Sequence, residues 1–369
     1  MRRWRSRSSI IALDRGTRSL RAVQLSFGDS GPGIIHWFNI ESSLAALTPE
    51  KSEESDAGWE ISPAAALDQF DSRRTGLIIG SADVEYCLLT VPEAVWSGTA
   101  GDPAEAIRWE VGRQVSQPVD SAEIGVWPLP TPMSSGANAM AVAAPGRSIA
   151  DTVESLSRNQ IDCAQVEPAA TALIRACRAT AQCSAGEIWG VLDLGFNSFR
   201  LYLTVESTPV FARRVRGSGH TWTELIAREL RTEYGVAEYH KRKCGIGSDF
   251  RGCRTLMENT SQLDEVALPG VLLSVLKGSL AEMVADIERA FRFVMEQYPR
   301  RQVGSLVLVG GGARMPGVAG WLSGELGVPV RPAAAEGAVH LAANHPMAQP
   351  DVFAVMAGCV GMALGEVES

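Results

Sequence analysis

Two polar turns of the same type, each between an apolar run and an alternating return strand, constrain the fold of this chain more than any other feature. The first turn spans residues 14–19 and reads DRGTRS, and the second spans residues 193–198 and reads DLGFNS. In each, the glycine allows the backbone to approach a ligand closely, and hydroxyl or amide side chains add donors beside free N–H groups. Because the copies lie about half a chain length apart, they predict two duplicated lobes that face each other.

A third glycine-rich turn follows a strand-like run near the end of the chain. Residues 306–309 read LVLV and are followed by Gly310, Gly311 and Gly312. The first polar turn, taken alone, also fits an ordinary hairpin, because Asp, Gly and Thr are common turn residues. The order and spacing of the three turns therefore carry the prediction.

The order of these turns resembles that of the actin and heat-shock-chaperone ATPase superfamily, in which the two Asp-Gly hairpins bind phosphates and the triple glycine binds adenosine. The resemblance implies an α/β fold of the duplicated, ribonuclease-H-like, actin-like type, with two lobes and ATP as the ligand between them. It also implies that Asp14 and Asp193 hold Mg²⁺ through water molecules, which suits a hard cation that sheds water reluctantly. The nucleotide-binding residues that it implies are Asp14, Gly16, Thr17, Arg18, Ser19, Asp193, Gly195, Asn197, Ser198, Gly219, Glu238, Lys241, Gly310, Gly311, Gly312 and Arg314.

Two further roles follow from the same resemblance. Glu238 and Lys241 lie three residues apart on a predicted helix and therefore share one face. In the superfamily such a Glu-x-x-Lys pair binds the ribose hydroxyls, and Arg314 matches an arginine that stacks on adenine, a role suited to its planar guanidinium. An ordinary surface ion pair between Glu238 and Lys241 remains an open alternative.

The segment 88–165 differs in character from the rest of the chain. Its pattern predicts a compact α+β insert that precedes the second polar turn. A module at this place resembles the bacterial branch that contains FtsA and PilM, in which it replaces subdomain IB of actin. The predicted elements are a helix at residues 103–115, strands at 124–129 and 140–144, a helix at 148–159 and a strand at 160–166.

Two segments resemble the PilM family of type IV pilus assembly proteins in particular. The first reads AIRWE at residues 106–110 and is followed by Pro118. The second reads AVAAP at residues 141–145 and is followed by VEPAA at residues 166–170. The division implied is a first lobe (IA) at residues 1–87, completed by 166–185 and 351–369; an SHS2-type insert (IC-like) at 88–165; a second lobe (IIA) at 186–216 and 303–350; and subdomain IIB at 217–302.

The family resemblance implies a cytoplasmic ATP-binding adaptor of a type IV pilus or related secretion machine. The implied partner is the cytoplasmic tail of a PilN-type inner-membrane protein, so contact with the inner membrane is indirect. Other components of the machine and a second copy of the chain are further implied partners. A GspL-like adaptor of type II secretion, an FtsA-like division scaffold and a sugar kinase of the same superfamily remain open alternatives.

Several residues depart from the superfamily pattern at the phosphate turns. Phe196 and Phe199 stand where small or hydroxyl residues are usual, Arg200 replaces an acidic residue, and Arg15 replaces an aliphatic one. Loss of a hydroxyl donor to a charged phosphate costs about 1–3 kcal/mol. We therefore expect nucleotide binding with at most slow hydrolysis and assign no catalytic residue; Arg15 or Arg18 could replace the lost contacts.

Composition and missing motifs argue against several function classes. The formal net charge of −8, without a basic stripe, argues against nucleic-acid binding. The chain has no Gly-Lys dipeptide, Gly-x-Ser-x-Gly elbow or Cys-x-x-Cys pair, so a P-loop NTPase, an α/β-hydrolase and a zinc site lack support. The longest apolar segments, 266–276 and 353–364, are too short to span a membrane. We expect the Arg-rich residues 2–7 to form a solvated tail.

Overall fold

The structure is a computed structural model, which describes residues 7–29, 31–41, 67–80, 84–96, 99, 102–184, 186–247, 268–342 and 344–368. Almost all of the solvated tail expected at residues 2–7 lies outside these ranges. The strands in these ranges are β1 (Arg7–Ser8), β2 (Ile11–Arg15), β3 (Ser19–Gly28), β4 (Gly31–Glu41), β5 (Arg74–Ile79), β6 (Glu85–Leu89), β7 (Ala122–Pro128), β8 (Ala139–Pro145), β9 (Asp162–Pro168), β10 (Ile188–Leu194), β11 (Phe199–Val205), β12 (Thr208–Val215), β13 (Val303–Val309) and β14 (Val330–Pro332).

Nine α-helices lie in the same ranges, the first of them after β6. They are α1 (Glu93–Trp96), α2 (Pro103–Gly112), α3 (Gly146–Arg158), α4 (Ala169–Ala181), α5 (Gly219–Leu230), α6 (Tyr234–Lys243), α7 (Leu268–Gln297), α8 (Val318–Leu326) and α9 (Pro350–Glu368).

The first sheet is built around the hairpin of β2 and β3, which contains the first polar turn. Its strand order is β1-β3-β2-β5-β9, and β4 pairs with the other edge of β3. β2 runs antiparallel to β3 and parallel to β5. Ile11, Ala12 and Leu13 are buried because this strand is central and covered on both faces.

The second sheet repeats this arrangement. Its order is β12-β11-β10-β13-β14. The hairpin of β10 and β11 contains the second polar turn, and β10 pairs in parallel with β13 just as β2 pairs in parallel with β5. This repetition confirms the duplicated α/β fold predicted from the two turns.

Between the two hairpins, a small three-stranded sheet with the order β6-β8-β7 forms with α1, α2 and α3 a separate α+β module. α2 begins where Asp102 caps the N–H of Ala104 and Pro103 occupies the first turn. The module has its own apolar cluster, which includes Leu89, Ile107 and Val111.

One predicted element of the insert belongs elsewhere. The strand expected at residues 160–166 is β9, which pairs in parallel with β5 at the edge of the first sheet. The reason is its register: Leu77 and Ile78 of β5 face Val166 and Glu167, so β9 returns the chain from the insert to the first sheet. The lobe boundaries proposed from the sequence otherwise stay predictions.

Helices α4 and α9 pack against each other and contact strands of both large sheets. α4 is rich in alanine, reading AATALIRACRATA, which permits a close approach of the two helix backbones. The Arg175 guanidinium of α4 donates to the carbonyl of Gly361 at 2.7 Å and pairs with Glu167 at 3.1 Å. This helix pair therefore joins the two halves of the chain.

Two helices of the second half differ from the prediction. The apolar pattern predicts a helix at residues 221–234 and a further helix from residue 237, but α5 already ends at Leu230 because Arg231 adopts a left-handed conformation with φ 51°, and α6 begins at Tyr234. Apolar residues recur at helical spacing along residues 279–297 and predict an amphipathic helix with one apolar stripe there. The helix begins earlier, at Leu268, since packing of its first turns overrides the two glycines within them.

Among the described residues, α7 alone is long and apolar enough to span a membrane by length and composition. It contacts α5, α8 and β12. The predicted stripe along it is buried, as in the core helix of a globular protein, and includes Leu280, Met283, Ile287 and Val294.

We expect Gly361→Ala to lower the free energy of unfolding by about 1–3 kcal/mol or more, because a Cβ there would lie 1.8 Å from the carbonyl oxygen of Ala172. Chemical denaturation of parent and variant measures the effect. Gly324→Ala is the matched control: it is also helical, but a Cβ there meets no atom within 4 Å. Equal losses in both variants would contradict the close packing of α4 on α9.

Candidate functional site

The first polar turn places an arginine against its aspartate. The Gly16 N–H donates to the carbonyl of Ser19 at 2.9 Å, which closes the turn. Asp14, near the end of β2, lies directly opposite Arg21 of β3, and the Arg21 guanidinium donates to Asp14 Oδ2 at 2.6 Å. Burial opposes the charge of Arg21, but Asp14 raises the pKa of Arg21 above its ordinary value.

The second polar turn is held by the start of α5. The N–H of Gly219 donates to the carbonyl of Gly195 at 3.0 Å, and the N–H of His220 donates to that of Phe196 at 2.9 Å. Phe199 is fully buried and packs edge-on against Trp222, with ring centroids 4.7 Å apart. Phe199 therefore belongs to the core, and only Phe196 faces the turn.

The two aspartates come close enough to affect each other. Burial raises the pKa of Asp193 to about 6, Asp14 adds to that rise, and Arg21 and Arg200 oppose it. The triple-glycine turn lies against the second polar turn, because a Cβ on Gly310 would lie 2.4 Å from Asp193 Oδ1. Gly310 also has φ 81°, so only glycine fits there without strain.

This donor set fits a magnesium ion poorly. No group of three or more His, Cys, Asp or Glu side chains suited to a metal occurs in the described part of the chain, so the predicted site rests on Asp14 and Asp193 alone. Of the two predicted carboxylates, Asp14 is bound by Arg21, and Asp193 lies directly opposite Arg200. Arg21 and Arg200 both stabilise the charge of Asp193, so positive charge already lies near the predicted ligands.

Arg18 of the first turn is buried between the two halves of the chain. Its side chain is 8% exposed, its guanidinium lies 4.9 Å from the centre of the Phe196 ring, and Nη1 lies 3.6 Å from Glu238 Oε1. Within the described ranges, its Nε and Nη1 have no hydrogen-bond partner. Burial lowers the pKa of Arg18, and Glu238 opposes that change.

Glu238 and Lys241 form a buried network rather than a surface pair. Their residues are 4% and 6% exposed. The Lys241 ammonium lies 2.6 Å from Glu238 Oε2 and donates to the Thr223 hydroxyl at 2.5 Å and to the Gly219 carbonyl at 2.7 Å. Burial by itself would raise the pKa of Glu238, but Lys241, Thr223 and Arg242 lower it to about 2.

Glu41, at the end of β4, connects the first sheet to the predicted nucleotide residues of the second half. Its carboxylate accepts from Arg242 at 2.9 Å and from Arg314 at 3.2 Å. Burial opposes the charge of Glu41, but these arginines lower the pKa of its carboxyl. Arg242 also donates to Glu238 at 2.7 Å, so one chain of charges crosses the cleft.

The remaining predicted residues lie in the same three turns and differ in exposure. Thr17, Asn197 and Gly311 are exposed, Gly16, Ser198 and Gly312 are half-buried, and Ser19 is buried. The sequence analysis assigned no site role to four residues of the network, Arg21, Glu41, Thr223 and Arg242. For Arg21 a signal existed, because Arg21 follows Asp14 at the spacing at which Arg200 follows Asp193.

Comparisons with known proteins give the fold. No protein-family model matches the chain, and no curated protein sequence matches it significantly. The structure is similar to a solved structure described as a PilM-PilN type IV pilus biogenesis complex, with a TM-score of 0.74 and 22% sequence identity over 98% of this chain and 99% of that one. At this identity the similarity shows the fold, and it confirms the actin-like, PilM-like architecture predicted from the sequence.

Two further solved structures are less similar, with TM-scores below 0.5. One is MreB 5 of Spiroplasma citri bound to AMPPNP, with a TM-score of 0.47 and 12% identity over 99% of this chain and 97% of that one. The other is the ethanolamine utilization protein EutJ from Carboxydothermus hydrogenoformans, with a TM-score of 0.42 and 13% identity over 98% and 90%.

We expect Glu238→Gln to destabilise the chain at pH 7 by about 3 kcal/mol, because it leaves the buried Lys241 ammonium without its counter-charge. The pKa of Glu238 falls from 4.5 to about 2 on folding, so its contribution is complete above pH 4.5 and is lost as pH falls toward 2. The difference between variant and parent in free energy of unfolding should therefore shrink on acidification.

Chemical denaturation at pH 7, pH 5 and about pH 3.5 measures this difference. Glu282→Gln serves as the control, because its carboxylate is 58% exposed and pairs with Arg216 only at 3.7 Å. A loss in Glu238→Gln that is the same at all three values of pH would be inconsistent with an ionised Glu238 as its cause.

Proposed function

We propose that the chain is a nucleotide-binding adaptor of a type IV pilus machine and that it binds a PilN-type membrane protein. The observation that carries the proposal is the agreement with the PilM-PilN complex over nearly the full length of both chains. The two polar turns and the triple-glycine turn lie close together and support a nucleotide as the ligand, since exposed backbone N–H groups beside glycine bind phosphate.

The proposed roles in the cleft follow the sequence prediction. The turns at residues 14–19 and 193–198 bind the phosphates, with ATP as the nucleotide. Buried Arg18 supports this role because it brings two unpartnered donors, among the described residues, to the first turn. Glu238 and Lys241 bind the ribose, and Arg314 stacks on the base beside the turn formed by Gly310, Gly311 and Gly312.

Entry of the base requires a local rearrangement. Arg314 is bound to Glu41, and Arg242 is bound to both Glu41 and Glu238. A nucleotide that uses Arg314 must displace the Glu41 carboxylate, which also repels the phosphates. Binding is thereby coupled to the distance between the first sheet and α6.

We propose binding without efficient hydrolysis. Phe196 lies at the second turn and packs against both Arg18 and His220. Arg200 is buried where the superfamily has an acidic residue, and it donates to the carbonyl of Val84 at 3.3 Å. A guanidinium in that position cannot act as a general base for water, so any turnover is slow.

The α+β module supplies the proposed surface for the partner. β6 and β7 are the outer strands of its three-stranded sheet, and outer strands can accept an extended peptide through main-chain hydrogen bonds. Trp109 of α2 is 66% exposed, and the Arg113 guanidinium lies 5.1 Å from its ring centre. An exposed tryptophan of this kind suits an anchor for a partner. In this proposal the chain is cytoplasmic and reaches the inner membrane through its partner.

We expect Arg314→Gln to weaken ATP binding about tenfold, because a stacked guanidinium on a base is worth on the order of 1 kcal/mol or more. Glu41→Gln should have the opposite effect and strengthen binding about three- to tenfold, since it releases Arg314 and Arg242. Isothermal titration calorimetry of each variant with ATP measures the dissociation constants.

The control for this pair is Arg292→Gln, which changes an exposed arginine of α7 whose ion-pair partner, Glu288, lies on the same helix. Its affinity should equal that of the parent. The assignment of the base site is wrong if Arg314→Gln and Arg292→Gln bind ATP equally well, and absence of ATP binding in the parent overturns the nucleotide proposal.

We expect Trp109→Ala to weaken binding of a PilN-type cytoplasmic tail at least about tenfold, as loss of an aromatic anchor does. Fluorescence anisotropy of a labelled peptide with that tail sequence measures the affinity. Phe293→Ala is the control, because Phe293 is also a partly exposed aromatic residue, 36% exposed, but lies on α7. Equal affinity of both variants would place the partner elsewhere, and no peptide binding by the parent would contradict the adaptor function.

A further inference from the structure

The two hairpins share a feature that the nucleotide prediction did not use. In the first, Asp14 lies directly opposite Arg21 across the β2–β3 pair. In the second, Asp193 lies directly opposite Arg200 across the β10–β11 pair. Directly opposed residues in an antiparallel pair project from the same face of the sheet, so each aspartate has an arginine as its cross-strand neighbour. The duplicated fold therefore repeats an aspartate–arginine pair at the base of the cleft.

The arginines are not ordinary surface residues. Arg21 contacts Asp14 at 2.6 Å, with 16% of its side chain exposed, and it also stabilises the charge of Asp193. Arg200 is 7% exposed and makes one hydrogen bond, to the carbonyl of Val84. In the described structure, the Nε groups of Arg21 and Arg200 have no hydrogen-bond partner. Each of these two guanidinium groups thus keeps one unused donor, that of Arg21 beside Asp14 and that of Arg200 on the strand opposite Asp193.

The charges of this four-residue cluster decide what it can bind. Two carboxylates and two guanidinium groups have a formal sum of zero. A divalent cation is held in proteins by oxygen ligands with net negative charge, and Mg²⁺ usually bridges one or two carboxylates to phosphate oxygens. Here the guanidinium groups of Arg21 and Arg200 already supply positive charge near the two aspartates. Guanidinium groups bind phosphate oxygens directly and in a planar, two-pronged geometry.

We propose that this cleft binds a nucleoside di- or triphosphate without a divalent cation, with Arg21 and Arg200 providing the positive charge that Mg²⁺ provides in a metal-dependent site. The inference rests on the proposed nucleotide binding and changes its chemistry, because the sequence predicted Mg²⁺ at Asp14 and Asp193. Asp14 then orients the Arg21 guanidinium, and the Val84 carbonyl orients that of Arg200, instead of the two aspartates holding water around a metal.

The test compares ATP binding by the parent chain in excess EDTA and in millimolar MgCl₂, by isothermal titration calorimetry. We expect the two dissociation constants to agree within about threefold. Arg21→Gln and Arg200→Gln should each weaken binding in EDTA by at least tenfold, and MgCl₂ should restore part of the affinity of these variants. Arg213→Gln, at an exposed arginine of β12, should bind like the parent in both buffers.

A conservative variant of Arg21 tests whether the charge of the guanidinium or its planar geometry is needed. Arg21→Lys keeps the positive charge and should keep binding independent of metal, although it loses the planar geometry. Circular dichroism and the urea midpoint of each variant establish that it is folded. If Arg200→Gln does not fold, the parent comparison together with Arg21→Gln and Arg21→Lys still decides the question.

The outcomes are distinct. Binding of ATP by the parent that is tenfold or more tighter in MgCl₂ than in EDTA overturns the inference and leaves the proposed nucleotide binding intact. Metal-independent binding that survives in both Gln variants unchanged overturns the assignment to Arg21 and Arg200. Absence of ATP binding by the parent in either buffer overturns the proposed function and this inference together.

Discussion

The buried carboxylate of Glu238 is the interaction on which the cleft depends. It accepts from Thr223 of α5 and contacts Lys241 and Arg242 of α6. Arg18, from the turn between β2 and β3, approaches the same carboxylate from the first half of the chain. A buried charge of this kind persists only when it is paired and hydrogen-bonded, so the partners fix one another. The two sheets are thereby oriented by electrostatics at the mouth of the cleft and by packing of α4 on α9 elsewhere.

The duplicated hairpins each place an aspartate opposite an arginine, but the two arginines differ in burial. Asp14 and Arg21 make a direct ion pair that is partly exposed, whereas Arg200 turns one guanidinium nitrogen to the Val84 carbonyl and is almost fully buried. The same backbone register thus supports two local solutions, because the surroundings of each hairpin differ.

The cluster was predictable where its residues are local in sequence. The three turns and the Glu238–Lys241 pair follow from spacing along the chain, and the structure brings them close together; their role in binding a nucleotide stays a prediction. Glu41 and Thr223 were not predictable, because their roles depend on which distant element packs beside them. Burial of the Glu238–Lys241 pair was also undecided by sequence, since a pair three residues apart on a helix looks the same on the surface and in the core. Arg21 was partly predictable: its spacing from Asp14 recurs between Asp193 and Arg200, but its ion pair with Asp14 appears only in the structure.

The amino-acid sequence by itself determined the repeated hairpins, the glycine turns, the apolar strands and the amphipathic stripe of α7, because these depend on local backbone freedom and on the periodicity of apolar residues. Only the tertiary structure decided that β9 joins the first sheet, that α5 ends at Leu230, and that Phe199 belongs to the core. It also decided the partner of each charge, including the bond of Glu41 to Arg242 and Arg314. The physical reason is that strand pairing and ion pairing join residues far apart in the chain, and their free energy depends on burial that no local pattern specifies.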